Sequence, residues 1–374
     1  MSLARTVMIV GLGDVGSWAL EYLARSEGVG RIITADIREE WGIMRTNSVA
    51  VGAGQQGYSK KIEFHKCDVN DIDATAELLK TVKPDVILNV TSKLGCAAQA
   101  TFFPPDIVKK NVRMISIIGG LQLALAAKLM KAVKKSGVTT HVVNTSYPDL
   151  ANPVLWRNGL GPLVGSGNMD STVAEIRRKI SIVENVPIRD ITVYLIAAHP
   201  ICLQGTRTGA PYFFKVMIGD KDITNRFDVD SLISDKLFAG HPEWSSWTTL
   251  PRAAAGAVKN IMAIINDTNL FTHAPGPNGL PGGYPIRISA KGVELALPKE
   301  ISVDRAIKIN TDCMKYEGIE EIKDDGTVIF TEEARKLAKE TYGLDYRGLL
   351  LEDADNRAEE TLAAFRRLPG WKGG

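Results

Sequence analysis

The sequence predicts an α/β protein, a doubly wound parallel sheet followed by a second α+β domain. Three observations carry this. A strand, a glycine-spaced turn and a helix follow one another in VMIVGLGDVGSWALEYLA; β-branched runs then alternate with helical stretches over the first 145 residues; and from about residue 171 the alternation stops. Regular alternation implies parallel strands joined by right-handed crossovers.

VMIV is the first strand, and the apolar periodicity of SWALEYLA makes the helix after it. RIITADI, IEFHKCDV, DVILNVT and THVVNTS are the next strands, with the Ala/Leu/Lys-rich LQLALAAKLMKAVKKSG as the clearest helix between them. Beyond them come the long helix DSTVAEIRRKISIVENV and the strand-like ITVYLIAAHPI and YFFKVMIG. An aromatic, turn-rich insert near HPEWSSW precedes the helix PRAAAGAVKNIMAIIND, the Gly/Pro-rich HAPGPNGLPGGYP, strand-like PIRISAKGVELAL, and the helices TEEARKLAKETYG and LEDADNRAEETLAAFRRL. The expected division is 1–145 for the sheet, 146–345 for the α+β domain and 346–374 for a helical extension.

Gly11, Gly13 and Gly16 give the first turn its chemistry. The first glycine permits the tight turn, the second lets backbone approach a pyrophosphate, and the third lets the helix pack close to the strand. The helix N-terminus, opened by Asp14 and Val15, then faces the anion. Asp36 ends the second strand twenty residues past Gly16. A carboxylate there accepts bonds from both adenosine ribose hydroxyls and repels a 2′-phosphate, which favours NAD. Arg38, two residues on, could instead pair with a 2′-phosphate, so NADP stays open. Ile37 beside the acid and Thr91 closing the fourth strand complete the expected Rossmann-type cofactor contacts.

The totals fit a water-soluble enzyme. The 374 residues are 45% hydrophobic, and 45 basic against 43 acidic residues give a formal charge of +2, so nothing draws the chain to nucleic acid or an anionic membrane. Cys67, Cys96, Cys202 and Cys313 are isolated, without C-x-x-C pairs or metal-ligand spacing, which fits a reducing compartment. MSLARTVMIV leads straight into the first strand without a signal peptide, and no apolar run approaches the ~20 residues of a membrane span. A cytoplasmic location is expected.

NTSYPDLANPVLWRNGLGPLVGSGNMDS, then LIAAHP and the glycine-rich YP segment, resembles the lactate/malate dehydrogenase superfamily over most of residues 5 to 345. The resemblance implies a substrate domain of that type, a small-molecule substrate, and a homodimer or homotetramer. It also implies that His199 is the proton-transferring base and Asp170 its orienting carboxylate. The chemistry agrees: imidazole, with a pKa near 6.5, can take a hydroxyl proton as hydride leaves the carbon, and a carboxylate on its other nitrogen fixes the tautomer. Asp170 could equally be a helix cap and His199 a satisfied core histidine. His241 in GHPEWSSW is the second choice of histidine; His65, His141 and His273 have less support. Asn144 or Ser146 would bond the nicotinamide or the substrate oxygen.

Two departures matter. The resemblance implies an arginine three positions after the helix-opening aspartate, where this chain has Val173, and arginines after the fourth strand, where it offers only Lys93. Valine does not replace a bidentate guanidinium, so a plain 2-hydroxy acid held in the usual way is not expected. Arg177, Arg207 or Arg252 would have to hold any carboxylate, with Arg207 in QGTRTGAP the first choice. The expected function is NAD(P)-dependent hydride transfer on a secondary alcohol or its ketone; the alternative is a dinucleotide-binding sensor or partner protein without catalysis. A third reading, a metal held by His199 and Cys202, is disfavoured because residues three apart on a strand face opposite sides, so no metal is expected.

Overall fold

A computed structural model describes residues 5–95, 102–234 and 249–372. The six strands β1 (Arg5–Val10), β2 (Val29–Asp36), β3 (Lys61–Lys66), β4 (Val86–Asn89), β5 (His141–Asn144) and β6 (Val164–Gly165) form one parallel sheet in the order β3-β2-β1-β4-β5-β6. The crossovers hold helices α1 (Asp14–Ala24), α2 (Glu39–Gln55), α3 (Ile72–Val82), α4 (Pro105–Asn111), α5 (Gly120–Ser136) and α6 (Pro148–Arg157). Strands β1, β2, β4 and β5 are buried along most of their length, as the near-continuous apolar runs of a sheet covered on both faces require.

Strand order reverses between β1 and β4, and such a switch point opens a crevice at the strands' carboxyl ends. Pairing places Val10 beside both Ala35 and Asn89, so the segments after β1, β2 and β4 emerge together. The glycine turn, Asp36 and Thr91 are brought to one edge by this register.

The chain continues through α7 (Met169–Glu184), β7 (Ile191–Ile196), α8 (His199–Gln204), β8 (Phe213–Ile218), β9 (Lys221–Asp222), α9 (Val229–Ser234) and α10 (Leu250–Ile265). It ends with β10 (Leu270–Pro275), β11 (Gly283–Ser289), β12 (Gly292–Leu295), α11 (Val303–Met314), β13 (Ile319–Ile322), β14 (Val328–Phe330), α12 (Glu332–Tyr342), β15 (Gly348–Leu349) and α13 (Ala354–Arg366). Three small antiparallel sheets, β7-β8-β9, β10-β11-β12 and β13-β14-β15, make up the α+β part.

Packing crosses the expected boundaries at 145 and 345. The parallel sheet takes its sixth strand from residues 164–165, because Val164 and Gly165 pair with Val143 and Asn144. Helix α10, far along the chain, packs on α1, with the position of a Gly28 Cβ only 2.2 Å from Asn266 Oδ1. The last helix packs back onto the sheet domain: α13 lies on α5, and Phe365 meets Phe103 edge-on, with ring centroids 4.7 Å apart. No helix among the described residues is long and apolar enough to cross a membrane. His241, Cys96 and most of the aromatic insert lie outside the described residues.

Candidate active site

The glycine turn has the geometry its spacing implies. Gly11 has φ +101°, which L side chains rarely adopt, and a Cβ there would sit 3.0 Å from the Val90 carbonyl of the neighbouring β4 segment. A Cβ on Gly16 would lie 2.0 Å from the Gly11 oxygen, so only glycine lets α1 start this close to β1. At Gly13 an added Cβ would meet nothing within 4 Å, and no side chain caps the helix it precedes. Open space before uncapped helical N–H groups fits a pyrophosphate. Asp14 and Val15 begin that helix.

Asp36 is 8% exposed and more heavily engaged than expected. Its Oδ2 accepts from Leu12 N at 2.7 Å and Arg38 Nη2 at 3.2 Å, and its Oδ1 from Arg38 N at 2.9 Å and Arg38 Nε at 3.0 Å. Burial alone would raise this carboxyl, but the bonds from Arg38 and Leu12 hold it below the usual carboxylate range. Arg38 also stacks over Trp41, 5.6 Å from the ring centroid, and Trp41 Nε1 donates to the Leu12 carbonyl. The acid therefore braces the glycine turn, and ribose hydroxyls can reach its lone pairs only if Arg38 moves aside. Ile37, half exposed, offers apolar surface next to it.

A path of contacts leads from this turn to His199. The Gly11 Cβ position lies 3.3 Å from Thr91 N, the Thr91 carbonyl accepts from Ser146 Oγ at 2.5 Å, and the ring of the adjacent Tyr147 stands 5.5 Å from that of His199. His199 opens α8 three residues after β7 instead of ending the strand, and it is buried.

The carboxylate on the His199 ring is Glu317, not Asp170. Glu317 Oε2 lies 2.8 Å from His199 Nδ1, while its Oε1 is buried without a hydrogen-bond partner. A second acid, Asp149 at the start of α6, accepts the His199 backbone N–H at 3.2 Å and a bond from Asn168 Nδ2. Both acids are fully buried. Burial alone would lower the His199 pKa, but the Glu317 charge and hydrogen bond, with the Asp149 charge, raise it above the ordinary value. Burial pushes Asp149 up to about 6, with the Glu317 charge adding to it and His199 opposing. Nδ1 is thus committed to Glu317, an arrangement that supports the charged form of the ring.

Asp170 is turned to another partner. Its Oδ1 takes a 2.6 Å bond from Lys259 of α10, whose Nζ also reaches the His273 carbonyl at 3.1 Å. Burial raises its carboxyl despite that charge. Asn168, not Asp170, occupies the cap of α7. His273 donates from Nε2 to the Leu195 carbonyl, and burial, then Lys259, drive its pKa down to about 3, so it stays neutral.

Asn144 is saturated. Its Nδ2 donates to Asn152 Oδ1 at 2.8 Å and the Ser146 carbonyl at 3.3 Å, and its Oδ1 accepts from Asn89 Nδ2 at 2.9 Å and Ser146 N at 3.0 Å. With all four positions used it ties β4, β5 and α6 together, and no valence is left for nicotinamide or substrate. The Thr91 hydroxyl is likewise given to Asn89 Oδ1.

The expected substrate cations are also spent. Lys93 is bound by Asp355 and Glu359 of α13, Arg207 by Asp230 with its side chain 83% exposed, and Arg252 by Glu175. Arg177 donates to the Ile188 carbonyl, ahead of β7 and at the other end of that strand from His199. Cys202 shares a helix with His199, where residues three apart lie on one face, so the strand argument against joint ligation does not apply; even so, no group of three or more potential metal-ligating side chains occurs among the described residues. Burial pushes Cys202 up to about 11 and Cys313 up to about 12, leaving both as thiols.

Glu317 was not legible in the sequence, because 118 residues separate it from His199. Asp149 had a weak signal, the Tyr147-Pro148-Asp149 turn following the fifth strand.

No family model matches the chain. Among solved structures it is similar to the apo malate dehydrogenase of Picrophilus torridus, at 18% identity and TM-score 0.60, covering 84% of this chain and 97% of that one. A lactate dehydrogenase enzyme from a Medee basin deep-sea metagenome library matches at 14% identity and TM-score 0.59, covering 84% and 96%. Malate dehydrogenase from Plasmodium falciparum in complex with NADH matches at 14% identity and TM-score 0.58, covering 83% and 95%. The chain has the lactate and malate dehydrogenase fold, a parallel six-stranded nucleotide-type sheet joined to an antiparallel α+β part.

Proposed function

We propose that a chain with this fold, a glycine turn open at Gly13 and a buried His199–Glu317 pair is an NAD(P)-dependent oxidoreductase acting on a secondary alcohol or its ketone. The observation that carries the reading is the 2.8 Å contact between His199 Nδ1 and the fully buried Glu317 carboxylate, joined to the glycine turn through Thr91, Ser146 and Tyr147. The malate dehydrogenase neighbour with bound NADH supports the choice of dinucleotide.

Gly11, Gly13 and Gly16 with the first turn of α1 would hold the pyrophosphate, and Asp36 with Arg38 would meet the adenosine ribose. The bound nicotinamide supplies the hydride donor or acceptor. His199 handles the proton: as imidazolium it donates from Nε2 to a carbonyl oxygen undergoing reduction, and as neutral imidazole it takes the hydroxyl proton in the other direction. Glu317 fixes the tautomer with the proton on Nδ1 and compensates the charge. Asp149, through the backbone N–H of His199, anchors the first turn of α8. The Asp36 carboxylate favours NAD, and Arg38 admits NADP.

Titrating NADH fluorescence tests binding, and hydride exchange with a panel of alcohols and ketones tests chemistry. His199→Ala should lower turnover about 10²–10⁴-fold and leave NADH affinity nearly unchanged. NADH binding with no hydride exchange on any alcohol favours the dinucleotide-binding sensor, for which the saturated Asn144 and the spent Lys93 and Arg207 speak.

A further inference from the structure

We infer that Asp149 is a specificity-determining residue, and that with Glu317 it makes the surroundings of His199 acidic, selecting an alcohol with no carboxylate beside its carbinol carbon. This rests on the dehydrogenase reading above. The two acids are 0% exposed and both touch His199, one at the ring and one at the backbone nitrogen. With His199 protonated the group carries a formal charge of −1; with His199 neutral, as alcohol oxidation requires, it carries −2.

Glu317 Oε1 is a buried acceptor with no partner, so one edge of this charge is uncompensated by any hydrogen bond. A carboxylate placed near Nε2 would need a cation to offset it. The cations that sequence or position offers are committed elsewhere: Lys93 to Asp355 and Glu359, Arg207 to Asp230, Arg252 to Glu175, Lys259 to Asp170, Arg113 to Glu333, Lys315 to Glu320, and Arg177 to a main-chain carbonyl. Tyr147, Cys202 and Cys313, around the same cluster, bring no positive charge, and both thiols stay protonated. A neutral alcohol needs only the His199 Nε2 and meets no like charge. Rejection by an uncompensated buried charge is how a site discriminates between two ligands of one shape.

The test compares matched pairs in the full-length protein at pH 8, where Asp149, with its pKa of about 6, is ionised. Lactate, malate, 2-hydroxyisocaproate and mandelate are each paired with their primary amides, and kcat/KM with NAD is read for every member. The amides are expected to be favoured about 10- to 100-fold over the acids, the range for one unopposed like charge in a partly buried site. Asp149→Asn keeps shape and removes charge, and should narrow the amide-to-acid ratio about tenfold. General damage to folding or catalysis lowers both members of a pair and leaves their ratio alone. If Asp149→Asn does not fold, the same ratio in Glu317→Gln decides. Preference for the acids, or a ratio unmoved by either substitution, overturns the inference while leaving the dehydrogenase reading standing. NADH binding with turnover of no pair overturns the dehydrogenase reading and this inference with it.

Discussion

Replacing Glu317 with Gln separates the charge of this residue from its shape. Two unit charges about 4 Å apart at an effective dielectric of about 20 attract by about 4 kcal/mol, and the cost of burying them cancels part of that. The amide can still accept from His199 Nδ1, so the ring should stay in place while its charged form loses its main support. Burial, which lowers the His199 pKa, is then opposed chiefly by Asp149, and the pKa falls. Ketone reduction by NADH depends on the imidazolium, so its rate declines as pH rises through that pKa, and the declining limb should move to lower pH in the variant. Alcohol oxidation depends on the neutral ring, and its rising limb should move the same way. At pH 7 ketone reduction should fall about 10²-fold, with NADH affinity, read by fluorescence, unchanged. Stability shifts with the same sign. A raised histidine pKa stabilises the fold fully below the unfolded value near 6.5, and this is lost as pH rises through the folded value, so the variant should lose stability mainly on the acid side. Coincident pH profiles for the two proteins, or a limb displaced to higher pH, would refute the assignment of Glu317 as the partner of the base.

The glycine turn gives a contrast between neighbours: Gly13→Val, placed in open space with φ −71°, should leave the melting temperature within about 2 °C yet weaken NADH binding at least tenfold. Gly16→Ala, with its Cβ 2.0 Å from the Gly11 oxygen, should cost about 2–4 kcal/mol in urea unfolding as well as cofactor binding. Lys259→Met strands the buried Asp170 carboxylate and should destabilise by about 3 kcal/mol, whereas the double variant with Asp170→Leu should recover most of this; equal losses would argue against the pair as a structural unit. Arg38→Ala releases the Asp36 lone pairs, so NADH should bind more tightly and NADPH more weakly, and isothermal titration showing both weakened would remove Arg38 from cofactor choice.

Most of the fold was legible because its signals are local. The five strand runs of the first 145 residues, the spacing of Gly11, Gly13 and Gly16, and the periodicity of α5, α7 and α10 each depend on residues a few positions apart. The sixth strand escaped notice because Val164–Gly165 is two residues long and has no pattern of its own; only pairing with β5 makes it a strand. The site was less legible for the same reason. His199 could be picked out by its place after a strand, but its ring partner arrives from a 3-10 turn following α11. Likewise, nothing in the residues around Lys93 shows that α13 will fold back and supply Asp355 and Glu359 to it.

His199 pairs with Glu317, and position 173 holds a valine where the resemblance implies an arginine. Asp170 keeps its place at the start of α7, but Lys259 of α10 lies 2.6 Å from it, and a buried carboxylate so paired has its charge compensated without a histidine. Three residues on, Val173 is buried among apolar neighbours. Glu317 then supplies the carboxylate that His199 needs, and Asp149 adds a second one beneath its main chain. An arginine brought against two such acids would pair with them rather than with a substrate, whereas a valine places no charge beside them. Introducing an arginine alone, as Val173→Arg, should fail to create activity on 2-hydroxy acids unless Asp149 is neutralised with it. A gain of lactate or malate oxidation in Val173→Arg with Asp149 intact would show that the pocket was merely short of a cation, not acidic by construction.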